Sequence, residues 1–135
     1  WIEAAAVFGF PLTLACPKGY APDRKVLQAA QQRSLLPITL MEDPVAAVRG
    51  ADVINVDVWA SMGQEDEQEK RQQIFQAYQL NGDLLAQAAA DAIVLHCLPA
   101  HRGEEITEEV LEGCQSVAFD QAENAIDRQE RSFAR

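Results

Sequence analysis

Five short, nearly continuous apolar runs alternate along this chain with segments that read as helices: Leu12 to Cys16, Ile38 to Met41, Val53 to Val58, Ala92 to His96 and Ser116 to Phe119. A strand that is apolar on successive residues, instead of on alternate ones, must be buried on both faces. The alternation therefore predicts an α/β fold, a parallel sheet of about five strands with helices on both faces. In such sheets ligands sit beyond the carboxyl ends of the strands, which singles out the loops after the third, fourth and fifth runs.

The intervening segments carry their own start and stop signals. Trp1 to Phe8 is helical from its first residue with no cap before it, so it reads as a helix already under way and as part of something longer. Asp23 is placed to cap a helix to about Arg33 that buries Val26, Leu27 and Ala30. Asp43-Pro44 is an N-cap followed by proline at the first helical position, and Gly50 closes that short helix. Gln64 to Tyr78 is a long charged helix whose acidic start (Glu65, Asp66, Glu67) suits the positive helix end. Asp66–Lys70 and Glu67–Arg71 are favourable pairs in it, and Ile74, Phe75 and Tyr78 form its buried face. Asp83 starts another short helix. Thr107 caps the next, with Ile106 and Leu111 set as a hydrophobic staple. Asp120 with Glu123 opens the last helix.

With 135 residues, 48% of them apolar and 24% charged, the chain has enough material for one domain with one core. A net charge of −10 with eleven scattered basic residues excludes nucleic acid and anionic lipid as partners, because both need clustered Lys and Arg. Cys16, Cys97 and Cys114 form no CxxC pair and no even framework, and no apolar run approaches bilayer length; a reduced, cytoplasmic location is expected. No GxGxxG or Walker A loop occurs, so a self-contained nucleotide site is not expected.

Two loops carry residues suited to chemistry. The first reads Asp57-Val58-Trp59-Ala60-Ser61-Met62-Gly63-Gln64. A carboxylate at a strand's end, then a small polar residue and a glycine before a helix, can hold an amine and a carboxylate together. Asp57 takes the ammonium, while Ser61 and the free N–H groups of the helix start take the anion. The plainer alternative is that Asp57 and Ser61 only cap the acidic helix, although Asp57 lies too far upstream to be the cap itself. The second loop reads His96-Cys97-Leu98-Pro99-Ala100-His101-Arg102-Gly103. Cys97 at a strand tip can be a nucleophile, a metal ligand, a polarising contact or simply a small buried hydrophobe. No metal is expected, because His96 and Cys97 as strand neighbours point to opposite sides and no further ligand cluster stands out. Arg102 reads as a solvated loop charge, Cys16 and Cys114 as packing or element-end residues, and Trp1 and Trp59 as packing residues.

Taken together, Asp57-Val-Trp-Ala-Ser-Met-Gly-Gln-Glu65, His96-Cys-Leu-Pro99 and Ala122-Glu-Asn124 resemble, in order and separation, the signature segments of ornithine carbamoyltransferases. Ser61-Met62-Gly63 is the piece that separates them from sister enzymes acting on putrescine, aspartate or acetylated ornithine. The resemblance runs from Trp1 to about Asn124. It implies an ornithine-binding domain at 1–124, incomplete at its N-terminus, and a divergent C-terminal tail at 125–135. The implied fold is Rossmann-like, lacking its usual first, central strand. The implied reaction is attack of the side-chain amine of L-ornithine on the carbonyl of carbamoyl phosphate, giving L-citrulline and phosphate for arginine biosynthesis.

By position, Asp57 contacts the amine side of ornithine, and Ser61 and Met62 hold its α-amino and carboxylate groups. Cys97 lies beside the reacting amine, its backbone and that of Leu98 near the carbamoyl group. Neither metal nor organic cofactor is implied, and the parent is expected to be a trimer-based homo-oligomer. Against the pattern, the carbamoyl-phosphate half is absent, and Ala125 stands where the family places an arginine on the phosphate. An isolated chain is therefore expected to be inactive. A non-catalytic amino-acid-binding or interaction module is the alternative, and an unrelated cysteine hydrolase a third.

Overall fold

A computed structural model describes the backbone of residues 1–60 and 68–133 and the side chains of 1–60 and 69–125. It divides into two compact units, Trp1–Ala47 and Val48–Arg135. The first holds α1 (Ile2–Phe8), β1 (Leu12–Ala15), α2 (Arg24–Arg33), β2 (Ile38–Met41) and most of α3 (Pro44–Val48). Within it β1 and β2 pair in parallel from Leu12↔Ile38 to Ala15↔Met41. Ala5 of α1 and Ala30 of α2 are fully buried with Leu27 and Ile38, and Ile2, Phe10, Leu12 and Leu14 pack on this cluster. Small residues at the helix contact let the two backbones approach closely. Asp23 caps α2 as its position predicts, accepting from the Lys25 and Val26 amides at 2.8 and 3.1 Å. Asp43 does the same for α3 through the Val45 and Ala46 amides. Val26 departs from expectation. It lies at the edge of the apolar stripe and is 42% exposed, while Leu27 and Ala30 take the core positions.

The second unit holds β3 (Val53–Val56), α4 (Gln68–Phe75) continued by a 3₁₀ turn at Gln76–Tyr78, α5 (Gly82–Leu85), β4 (Ile93–His96), α6 (Glu108–Leu111) and α7 (Ala118–Phe133). β3 and β4 pair in parallel, Val53↔Ile93 through Val56↔His96. The core is Leu80, Val94, Ile106, Val110, Leu111 and Ala118, with Ile54, Val56, Leu84, Leu85 and Ala100 against it. Ile106 and Leu111 are both buried there, as the staple predicts. Thr107 sits at the N-cap of α6 but makes no cap hydrogen bond, so its capping role is not realised. The cap of α5 is Asn81, whose side chain accepts from the Leu84 amide at 3.0 Å, and Asp83 is a first-turn residue instead.

The parallel α/β character is as expected, but the described residues form two two-stranded sheets, not one sheet of about five strands. The predicted fifth strand, Ser116 to Phe119, shrinks to one parallel bridge between Ser116 and Val94. Val94 donates to the Gln115 carbonyl at 2.8 Å, and Val117 donates to the Val94 carbonyl at 2.9 Å. These two bonds seat the segment beside β4, and the chain turns into α7 at Ala118 before a ladder can extend. The N-terminal part of the helix predicted from Gln64, with the Asp66–Lys70 and Glu67–Arg71 pairs, lies outside the described residues. Among the described residues no helix is long and apolar enough to cross a membrane.

This burial pattern sets an order of sensitivities. Leu111→Ala, at 1% exposure, is expected to lower stability by about 2–5 kcal/mol in urea unfolding, as large-to-small changes in closed cores do. Val26→Ala is expected to cost less than about 1 kcal/mol on the same measurement, because that side chain is already half in water. Equal losses would contradict the core assignment.

Candidate functional site

The register of β3 on β4 builds the site. Val56 faces His96 across the parallel pair, so the next residues, Asp57 and Cys97, leave the strand tips side by side and on the same face. The Cys97 thiol donates to Asp57 Oδ1 at 3.0 Å, and the same oxygen accepts from the Val58 amide at 2.9 Å. Both residues are exposed. Loss of solvent around the sulfur, then the hydrogen bond to Asp57 and the charge of Asp57, push the Cys97 thiol up to about 11. A thiol held there stays protonated at neutral pH, so Cys97 is a donor and not a ready nucleophile.

One residue back, His96 points to the opposite face and is fully buried. Its Nδ1 accepts from the Leu98 amide at 2.9 Å, and its Nε2 lies 3.1 Å from Glu105 Oε1. An amide can only donate, so the hydrogen bonding assigns the ring proton to Nε2, which donates to the carboxylate. Glu105 Oε1 also accepts from the His101 amide at 2.6 Å. Leu98 has φ 51, a left-handed conformation rare for a residue with a branched side chain, and the bond from its amide to His96 holds it there. Glu105, fully buried, thus ties the loop after β4 to the core through His96. Sequence reasoning missed it. The one available signal was its place beside Ile106, within a run that is otherwise polar and acidic. Arg102, read as a solvated charge, is 47% exposed and pairs with Glu112 at 2.6 Å.

The loop after β3 is anchored at its start. Trp59 is buried and stacks on Phe75 with centroids 6.1 Å apart, Phe75 meets Tyr78 at 5.9 Å, and Arg71 donates to the Trp59 carbonyl at 3.0 Å. Trp59 is therefore a packing residue that fixes where the loop leaves Asp57. Ser61 and Met62 lie outside the described residues. Leu98 is half-buried beside Cys97, while Asn124 and Ala125 are exposed on α7. Two open hollows of the second unit, about 270 and 330 Å³, are lined by residues such as Leu85 and Val110 or Leu95 and Asn124; neither includes Asp57 or Cys97. Asp57 and Cys97 are exposed at the strand tips, where a ligand can meet them without an enclosed hollow.

Residues 1–130 match the profile of the family described as aspartate/ornithine carbamoyltransferase, Asp/Orn binding domain. The chain belongs to that family. Among curated relatives of this carbamoyltransferase domain, the ornithine carbamoyltransferase of Desulfotalea psychrophila is 68% identical over 126 residues, 93% of this chain and 42% of its own. That of Geobacter sulfurreducens is 59% identical over 134 residues, 99% of this chain and 44% of its own. The solved ornithine carbamoyltransferase from Pyrococcus furiosus superposes with a TM-score of 0.90 at 46% identity, covering 98% of this chain and 44% of that one. The domain thus spans less than half the length of these relatives.

The thiol's environment gives a direct check on the strand-tip contact. Because Asp57 raises the Cys97 thiol, Asp57→Asn is expected to lower it toward the ordinary range and to speed alkylation of Cys97 at pH 8.5 several-fold, read by peptide mass spectrometry with Cys16 and Cys114 as internal references. An unchanged or slower rate at Cys97 would show that the two side chains are not in contact.

Proposed function

We propose that this chain, residues 1–124 above all, is the ornithine-binding half of an ornithine carbamoyltransferase, which transfers the carbamoyl group of carbamoyl phosphate to the side-chain amine of L-ornithine. The observation that carries the proposal is the 3.0 Å contact between the Cys97 thiol and the Asp57 carboxylate at neighbouring strand tips. It supports the reading by bringing an anion and a neutral donor together at one exposed point, where an entering amine can meet both.

In this reading the amine enters beside Asp57 as an ammonium, gives one proton to solvent so that it can attack, and loses a second to the departing phosphate. The hydrogen bonds to Asp57 among the described residues both fall on Oδ1, which leaves Oδ2 to meet the amine. A C–N bond then forms to the carbonyl carbon while the bond to the phosphate oxygen breaks. Phosphate leaves with the electron pair, and L-citrulline remains. Since carbamoyl phosphate is already activated, positioning and proton handling suffice and no cofactor or metal is required for the transfer. The protonated Cys97 polarises and orients, and the backbone of Cys97 and Leu98, set by His96, faces the carbamoyl group. Ser61 and Met62 hold the α-amino and carboxylate ends.

Relatives more than twice as long support a division of labour in which carbamoyl phosphate is gripped largely by residues outside this chain. We accordingly assign the chain to a cytoplasmic, trimer-based homo-oligomer with no nucleic-acid or membrane partner. The departure at Ala125, in the tail at 125–135, favours one second reading, an amino-acid-binding module that no longer handles phosphate.

Asp57→Ala or Ser61→Ala in the full-length enzyme is expected to raise the KM for ornithine by about tenfold or more, while the KM for carbamoyl phosphate moves less than about twofold. Equal losses for both substrates would refute the role assignment. The isolated chain is expected to form no citrulline in a colorimetric assay. Measurable turnover would show that it carries a complete site, and absence of turnover in the full-length enzyme would favour the non-catalytic module.

A further inference from the structure

The loop that follows β4 carries a second cluster with its own chemistry, independent of the carbamoyl-transfer reading. One ring nitrogen of His101 and one carboxylate oxygen each from Glu104 and Glu105 lie within 4.8 Å of one another. Such a group on a surface is ordinary when every member is solvated. Here one is not. Glu105 is fully buried; its Oε1 is taken by His96 and the His101 amide, but its Oε2 is buried and accepts no hydrogen bond among the described residues. His101 Nδ1 lies 3.7 Å from it, too long for a hydrogen bond. A buried carboxylate oxygen with no donor is costly and points toward an absent positive partner.

We propose that His101, Glu104 and Glu105 form a three-donor site for a borderline divalent cation of the Zn²⁺ class. One imidazole nitrogen and two carboxylate oxygens suit Zn²⁺ better than Ca²⁺ or Mg²⁺, which prefer six or more oxygens. Tetrahedral Zn²⁺ with bonds of about 2.0–2.2 Å needs its donors about 3.4 Å apart. The required contraction falls on His101, which is exposed, and Glu104, which is half-buried, while Glu105 is already fixed by its Oε1 bonds. Solvent supplies the fourth position. His96 and Cys97, the histidine–cysteine pair considered in the sequence, do not take part. His96 spends both ring nitrogens on Leu98 and Glu105, and Cys97 faces Asp57.

The chain has two histidines, so ¹⁵N-histidine NMR separates the possibilities. On titration with Zn²⁺ alone, one His101 ring-nitrogen resonance is expected to move to the metal-bound range and saturate at one equivalent. Glu104→Gln is expected to weaken the apparent affinity at least about tenfold, whereas Cys97→Ser leaves it unchanged. A His101 resonance that does not respond, or one whose response is lost in Cys97→Ser or insensitive to Glu104→Gln, would overturn the three-donor site. Because the readout is binding and not turnover, its failure is distinguishable from failure of the proposed transferase role.

Discussion

The parallel register of β3 on β4 is the constraint on which the candidate site depends. In a parallel ladder, residues paired across the strands keep the same facing, and a slip by one residue would turn Cys97 inward and His96 out. Nothing in the loops themselves could bring a carboxylate and a thiol to 3.0 Å without it. The register is in turn held by burial. Val94 and His96 on β4 are fully buried, and Ile54 and Val56 of β3 pack against the same core, so the facing of the strand tips is fixed by the apolar face behind them.

Behind the site the polar groups are arranged on a similar logic. A buried imidazole and a buried carboxylate are each unfavourable alone and become tolerable together, with the backbone amides of Leu98 and His101 completing the set. The consequence is local rigidity where it matters. Leu98 is kept in a left-handed conformation, and the thiol is left to face Asp57. Glu105 also contributes the buried Oε2 that opens the question of a cation on the outer side of the same loop. One residue therefore belongs to the packing of the domain, the posture of its site loop and a second surface cluster.

Much of this was legible in the sequence because it rests on short-range rules. The strands β1 to β4, the caps at Asp23 and Asp43, the staple of Ile106 and Leu111 and the pairing of two loops at strand tips follow from periodicity and from the βα alternation. What was not legible depends on three-dimensional competition. Ser116 to Phe119 has the composition of a strand, yet only one bridge forms before helix α7 takes over at Ala118. Thr107 has the chemistry of a cap, but its hydroxyl is buried and finds no partner among the described residues. Glu105 gave almost no signal, since the partner that explains its burial is nine residues away and its own neighbours are a second glutamate and an isoleucine. Cys97 was left open between nucleophile, metal ligand, polarising contact and small buried hydrophobe; it is exposed and donates to the neighbouring carboxylate, a contact invisible in one dimension.

In the proposed reaction Asp57 and Cys97 act as one unit on the reacting amine. A double-mutant cycle tests it most directly: kcat/KM for ornithine in the full-length enzyme with Asp57→Asn, Cys97→Ser and both changes together. Side chains in contact on one substrate group are expected to couple, so the double variant should lose less than the product of the single losses, by a coupling energy of about 1 kcal/mol or more. Losses that multiply within error would mean that the two residues serve the reaction separately, and the shared slot would have to be given up.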